Sequence, residues 1–209
     1  MDIYLLENIE TAKIPFERFA SLMPQRIKKA ERFRFEKDRL MCIGAGLLLW
    51  HCLQAGEEDV LYLPNGKPYL KDGRCFSISH SRETAAISFG DRPVGIDIEE
   101  LGAFPREIIP QVFSAEEVCR IGTDEKKPYL LWSVKESVYK AGNEGALAEP
   151  KEITLSAPTE KGVALYRGKQ WYYFAKEYCG MSVAAASDVP VDEINIHELT
   201  AKELLKHFP

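Results

Sequence analysis

Apolar positions recur along the chain in two rhythms. Period two, the signature of strands, runs through DIYLL (2–6), CFSISHS (75–81), TAAISFG (84–90) and VGIDIEE (94–100). It returns in EITLSAP (152–158), GVALYRG (162–168), QWYYFAKEY (170–178) and MSVAAAS (181–187). Helical rhythm fills the intervals. Residues 15–22 predict a short helix. Pro24 opens a long helical region ending in WHCL (50–53), basic in its first half and apolar in its second, with Phe33 as the candidate break. Ser114 and Glu117 form the S-x-x-E capping pattern that starts a helix in FSAEEVCRIG. PYLLWSVKESVYKA (128–141) is the clearest amphipathic helix, and Pro128 suits its first turn. Pro64, Asn65-Gly66 and Pro68 mark a turn, and the tail 197–209 reads as a peripheral helix.

TAAISFG before Pro93 is similar to SVAAASD before Pro190, and each closes a run of helix followed by strands. The expected fold class is therefore α+β in two similar halves, 1–104 and 105–209. The 209 residues are 45% hydrophobic, enough to bury a core. A net charge of −5 argues against a general nucleic-acid binder, and no apolar run approaches a membrane span. Five scattered cysteines (42, 52, 75, 119 and 179) form no CxxC pair, which favours reduced thiols in a cytoplasmic protein over a disulfide frame or zinc site.

Candidate chemistry concentrates in two places. In VGIDIEE, Val94, Ile96 and Ile98 share one strand face, while Gly95, Asp97 and Glu99 share the other. Two like charges thus sit roughly 6.5 Å apart along the backbone. On the helix 128–141, Trp132, Glu136 and Lys140 follow at i, i+4 and i+8 and lie in one row, with Lys135 and Tyr139 beside it. Taken singly, these are an acidic strand face and a solvated Glu–Lys pair. Taken together, three carboxylates and a lysine suit magnesium, a hard cation that joins one or two carboxylates to substrate phosphates. Lys140, Lys67 of the NGKP turn, His80 and the serines of SISHS are candidate phosphate binders. Alone, His80 shares strand parity with Phe76 and Ile78 and reads as a core histidine, and Lys67 reads as a turn lysine. The absence of GxxxxGKS and GxGxxG loops argues against a P-loop or kinase site.

In order, the segments NGKP, FSISHS, VGIDIEE, FSAEE and WSVKESVYK resemble the Sfp-type 4'-phosphopantetheinyl transferases over roughly residues 24 to 185. The resemblance implies an active site in a cleft between two pseudo-twofold-related halves. It implies transfer of the phosphopantetheine arm of coenzyme A to a serine of an apo acyl or peptidyl carrier protein, with adenosine 3',5'-bisphosphate released. On that basis Asp97, Glu99 and Glu136 are the expected magnesium ligands. Lys140 would contact the pyrophosphate, and Lys135 would support it or the acids. Arg26 or Lys29, with Lys67, Ser79 and His80, would surround the 3'-phosphoadenosine end. Glu136 is the first candidate base, directly or through a water. Glu117 matches an acid of the family but is read equally well as a capping partner.

Two segments depart from the family pattern. Asn143 stands where a glycine is usual. Met41 and Cys42 stand where a hydroxyl or basic residue is usual, so a 3'-phosphate contact is expected to be either missing or moved to Arg39. Seven Lys/Arg against three Asp/Glu in 26–39 offer a docking patch for an acidic carrier; the apolar loop 102–113 is a rival. One chain building the whole cleft implies a monomer. A non-catalytic coenzyme A or carrier-binding protein, and a magnesium phosphotransferase using another nucleotide, remain the alternatives.

Overall fold

The computed structural model describes residues 1–7, 9, 16–64, 66–142, 149–156 and 159–206. The chain runs β1 (Asp2–Glu7), α1 (Phe16–Leu22), α2 (Pro24–Glu31), α3 (Glu36–Leu53), β2 (Val60–Tyr62), β3 (Pro68–Leu70), β4 (Cys75–Ser81) and β5 (Thr84–Gly90). It continues as β6 (Val94–Glu100), α4 (Ile109–Val112), α5 (Ala115–Ile121), α6 (Lys127–Gly142), β7 (Thr154–Leu155), β8 (Lys161–Tyr166), β9 (Lys169–Tyr178), β10 (Met181–Ser187), β11 (Asn195–Thr200) and α7 (Ala201–Lys206).

Two sheets result, with orders β11-β1-β5-β4-β3-β2 and β6-β10-β9-β8-β7. Leaving out β11, each begins with the first strand of its stretch, pairs it antiparallel to the last, and steps outward through the hairpins. The fold is mixed α+β, as expected. A division at residue 104, however, falls after β6, whose backbone ladder is with β10 of the second sheet.

Three apolar clusters hold the layers together. Helices α1–α3 lie on one face of the first sheet through Phe19, Met23, Leu47, Leu48, Leu6, Ala85 and Ile87. Helix α6 lies on one face of the second through Leu131, Val134, Val138, Tyr173, Ala184 and Ala186. The remaining sheet faces meet through Ile3, Leu5, Ala86, Ile96, Ile98, Val183 and Ala185. The β-branched face of VGIDIEE is thus the one buried between sheets, as its alternation predicts.

The long helical region is two helices. Arg32 ends α2, Phe35 starts α3 from an extended conformation, and Arg39 Nε donates to the Phe33 carbonyl at 2.8 Å across the corner. A Cβ on Gly46 would lie 2.6–2.9 Å from atoms of Arg26, Phe19 and Met23, so glycine lets α3 meet the preceding helices closely. The tail corrects the sequence expectation: residues 195–200 form a strand parallel to β1, with His197 stacked on Tyr4 at 4.7 Å, and of the described tail residues only 201–206 are helical. No described helix is long and apolar enough to cross a membrane, and all five cysteines are free thiols.

Candidate active site

Strand β6 and helix α6 cross so closely that a Cβ on Gly95 would fall 1.9 Å from the Ser137 carbonyl oxygen and 2.5 Å from the Ala141 nitrogen. Glycine in VGIDIEE is therefore a contact requirement. It sets the register of everything beyond it on that face. Two residues along, Asp97 Oδ1 accepts from Lys140 Nζ at 2.7 Å and from Ser79 Oγ at 2.9 Å. Two further, Glu99 Oε1 accepts from Trp132 Nε1 at 3.2 Å. The Trp132–Glu136–Lys140 row thus runs along the Gly95–Asp97–Glu99 face in the opposite sense.

The electrostatics record this crowding. Burial pushes the Glu136 carboxyl above its ordinary range, the charges of Asp97 and Glu99 push it further, and Lys140 opposes them. Glu99 is raised by burial first and by Asp97 second, with the Trp132 hydrogen bond and Lys140 pulling back. Asp97 Oδ2 is buried and has no hydrogen-bond partner among the described residues. Such an atom is costly unless something satisfies it.

The donor set is therefore all carboxylate oxygen, mutually repelling and short of one partner, which fits a hard cation. Among the described residues, no three His, Cys, Asp or Glu side chains form a ready-made cage. Magnesium is usually held by one or two carboxylates plus substrate phosphates rather than by such a cage.

The strand β4 connects the acids to a second region. Its hydroxyls at Ser77, Ser79 and Ser81 accept the N–H groups of Ile96, Ile98 and Glu100 at 3.0, 3.4 and 3.0 Å. They stitch the free edge of β6 to the first sheet where no backbone ladder exists, a role the sequence reading missed when it took these serines as phosphate donors. The opposite face of β4 carries Phe76, Ile78 and His80 from core to solvent. His80 is exposed, not the core histidine its parity suggests.

His80 stands at a cavity of about 300 Å³ that Arg26, Lys29, Asp38, Cys42, Val60, Tyr62 and Phe76 also line. Arg26, Lys29 and His80 are thus brought together as expected. Although the side chain stays open to solvent on one side, partial burial against the cavity lowers the imidazole pKa; Lys140 and Lys29 lower it further, and Asp38 opposes them. Ser79 does not join this group. Adjacent strand residues face opposite ways, so Ser79 lies with Asp97 and Lys140 instead.

Lys67 is also elsewhere: its Nζ donates to the Ala141 carbonyl at 2.5 Å, and it lines a separate cavity of about 580 Å³ with Tyr69, Pro93 and Trp171. Of the two departures on α3, Cys42 lines the basic cavity and its carbonyl accepts from Arg26 Nη1 at 3.4 Å, while Met41 is core. Arg39 is held by the Phe33 carbonyl. Asn143 lies outside the described residues. Tyr62 was not anticipated, although an exposed aromatic just before the NGKP turn was its visible signal.

Lys135 requires a correction. It was expected beside the pyrophosphate or the acids, but its side chain is 1% exposed and pairs with Glu117 at 2.8 Å. Its Nζ also donates to the carbonyls of Val112, Pro150 and Ile153 at 3.3, 3.1 and 2.9 Å. Glu117 closes the capping box with Ser114 and accepts from Leu155 N–H at 3.4 Å. One helical step of about 100° separates Lys135 from the Glu136 row and carries it into the core.

A profile of the 4'-phosphopantetheinyl transferase superfamily matches residues 93–187, the stretch from β6 to β10. The chain is 31% identical over 143 residues to 4'-phosphopantetheinyl transferase Sfp of Bacillus subtilis, covering 62% of this chain and 64% of that one. It is 29% identical over 188 residues to 4'-phosphopantetheinyl transferase psf-1 of Bacillus pumilus, covering 78% and 80%. It is 34% identical over 131 residues to 4'-phosphopantetheinyl transferase ffp of Bacillus subtilis, covering 56% and 58%. The chain therefore spans just under two thirds of the length of Sfp. Residues 93–187 thus resemble the 4'-phosphopantetheinyl transferase superfamily, and the relatives the chain is similar to are of the Sfp type.

Proposed function

We propose that this protein transfers the 4'-phosphopantetheine arm of coenzyme A to a serine hydroxyl of an apo carrier protein and releases adenosine 3',5'-bisphosphate. The observation that carries the reading is the meeting of Asp97 and Glu99 on β6 with Glu136 and Lys140 on α6, beside a cavity lined by Arg26, Lys29 and His80. Acids, a partly exposed ammonium and a basic cavity side by side are what a nucleotide diphosphate asks of a protein.

In this reading the basic cavity takes the 3'-phosphoadenosine end. Arg26 and Lys29 supply fixed positive charge, and His80 donates a hydrogen bond as a neutral ring. The diphosphate then lies toward Lys140, whose side chain is 28% exposed and so able to reach a ligand. Lys140 now neutralises Asp97; as a compact charge on a flexible stem it can shift toward phosphate oxygens. The carrier serine oxygen attacks the β-phosphorus, and the bond from that phosphorus to the adenylate oxygen breaks. Negative charge grows on nonbridging and leaving oxygens, so positioning and cationic stabilisation are the main contributions. Glu136, its carboxyl raised, takes the serine proton directly or through a water. Asp97, Glu99 and Glu136 would hold magnesium, which would supply Lewis acidity and a template.

The carrier is expected to be acidic, and with a net charge of −5 on this chain it must dock on a local patch. The basic surface of 26–39 fits that need. We propose a monomer in the cytoplasm, since one chain supplies both the cavity and the acids. Intact-mass spectrometry of apo carrier proteins of fatty acid, polyketide and peptide synthesis, incubated with the protein, coenzyme A and Mg²⁺, tests the reading. At least one carrier gains the mass of one arm. No gain on any of them contradicts the transferase assignment.

A further inference from the structure

Helix α2 begins without a cap of its own. Its N-cap residue, Met23, makes no side-chain capping bond, and Pro24 at the first position has no N–H. The next two donors, the N–H groups of Gln25 and Arg26, both end on the carboxylate of Glu57, 32 and 31 residues away in sequence, the former at 2.5 Å. A carboxylate there is favoured by the two hydrogen bonds and by the positive end of the helix dipole.

Glu57 is itself firmly placed. It opens the 3-10 turn Glu57–Asp59, in which Asp59 Oδ2 accepts from Gly56 N–H at 3.0 Å and the Asp59 carbonyl accepts from Lys71 N–H at 2.9 Å. The next residue, Val60, begins β2. One side chain therefore ties the helix that carries Arg26 and Lys29 to the strand that carries Val60 and Tyr62, and all four residues line the 300 Å³ cavity.

We propose that Glu57 is a positioning residue for coenzyme binding: it sets the gap between the cationic wall and the Tyr62 wall of the cavity. This rests on the reading of that cavity as the 3'-phosphoadenosine site. Without the carboxylate, two helix-terminal donors lose their acceptor. The first turn of α2, where Arg26 sits, then frays, and the walls separate. The loss falls on recognition of the 3'-phosphate, because Arg26 and Lys29 are the groups displaced.

Calorimetric titration of the full chain with coenzyme A and with dephospho-coenzyme A, which lacks only the 3'-phosphate, tests the idea. Wild type binds coenzyme A more tightly than the dephospho form. Glu57→Ala should weaken coenzyme A by about tenfold, the order of one lost cap, and shrink its advantage over the dephospho form. Glu57→Gln, which keeps one carbonyl acceptor, should fall between, and carries the comparison if the alanine variant does not fold. In steady-state assays the change should appear in KM for coenzyme A rather than in kcat. Unchanged affinity, or equal losses for both coenzymes, overturns the positioning role and leaves the cavity reading standing. Failure of wild type to bind either coenzyme overturns both.

Discussion

Lys135 and Lys140 lie five residues apart on one helix and have unlike surroundings. Lys140 reaches the acids at the surface of the crossing; Lys135 is enclosed with Glu117. Burial lowers the Lys135 pKa, and the Glu117 hydrogen bond and charge oppose it. Removing one member of such a pair leaves a buried charge alone, so Lys135→Met should cost about 3–5 kcal/mol in denaturant unfolding. Adding Glu117→Gln should recover much of the loss, and the folded fraction should retain its transfer rate. A fold of normal stability with lost transfer would instead make Lys135 a participant in the chemistry.

His80 allows a second test. Its folded pKa lies below the unfolded value of 6.5, so the unfolded chain binds the proton more readily. The stability that follows is present above that value and is lost as pH falls through it toward the folded pKa. Urea unfolding from neutral pH to about pH 5 should therefore show a shallower decline in His80→Asn than in wild type; equal declines contradict the assignment. Both residues mark the limit of sequence reading. The i, i+4, i+8 row identifies Glu136 and Lys140, but Lys135 one step around the helix looks the same until Glu117 is brought to it by the fold. His80 keeps core parity while its strand emerges from the core.

Strand β6 and helix α6 depend on Gly95. The atoms a Cβ would strike are backbone atoms of α6, so no side chain can yield to it. Gly95→Ala should destabilise the protein by about 1–3 kcal/mol, as overpacking does, and depress transfer beyond what the lost stability explains, because the helix that carries Glu136 and Lys140 must move. Normal activity and stability together would mean that the crossing is looser than described.

Most elements were legible because their apolar period is clear and their caps are local, as in the Ser114–Glu117 box. Strand β11 was not. Its residues, NIHELT, are mostly exposed, and among the described residues its only strand partner is β1, at the other end of the chain. No local pattern announces such a pairing. The bonds accepted by the serines of β4 were not legible for the same reason: their partners are backbone N–H groups that only the docking of β6 brings near.

Across the molecule, the two sheets repeat one strand order once β11 is left out, and the superfamily match begins and ends with the second of them. We propose that the halves are related by a pseudo-twofold and that β6 starts the second, so the division lies before residue 93 rather than at 104. The acids then come from the second half, and Ser79 and His80 from the first. Only their packing against one another assembles the site, which is why separate motifs reveal its members but not its layout.

We propose above all that Asp97, Glu99 and Glu136 would together hold a divalent cation when the diphosphate is bound. Titration of Mn²⁺, followed by electron paramagnetic resonance with coenzyme A present, addresses it directly. Wild type should bind the ion, Asp97→Ala should lose that binding while remaining folded, and omission of coenzyme A should weaken it. Equal binding by Asp97→Ala, or none by wild type, would contradict the shared site.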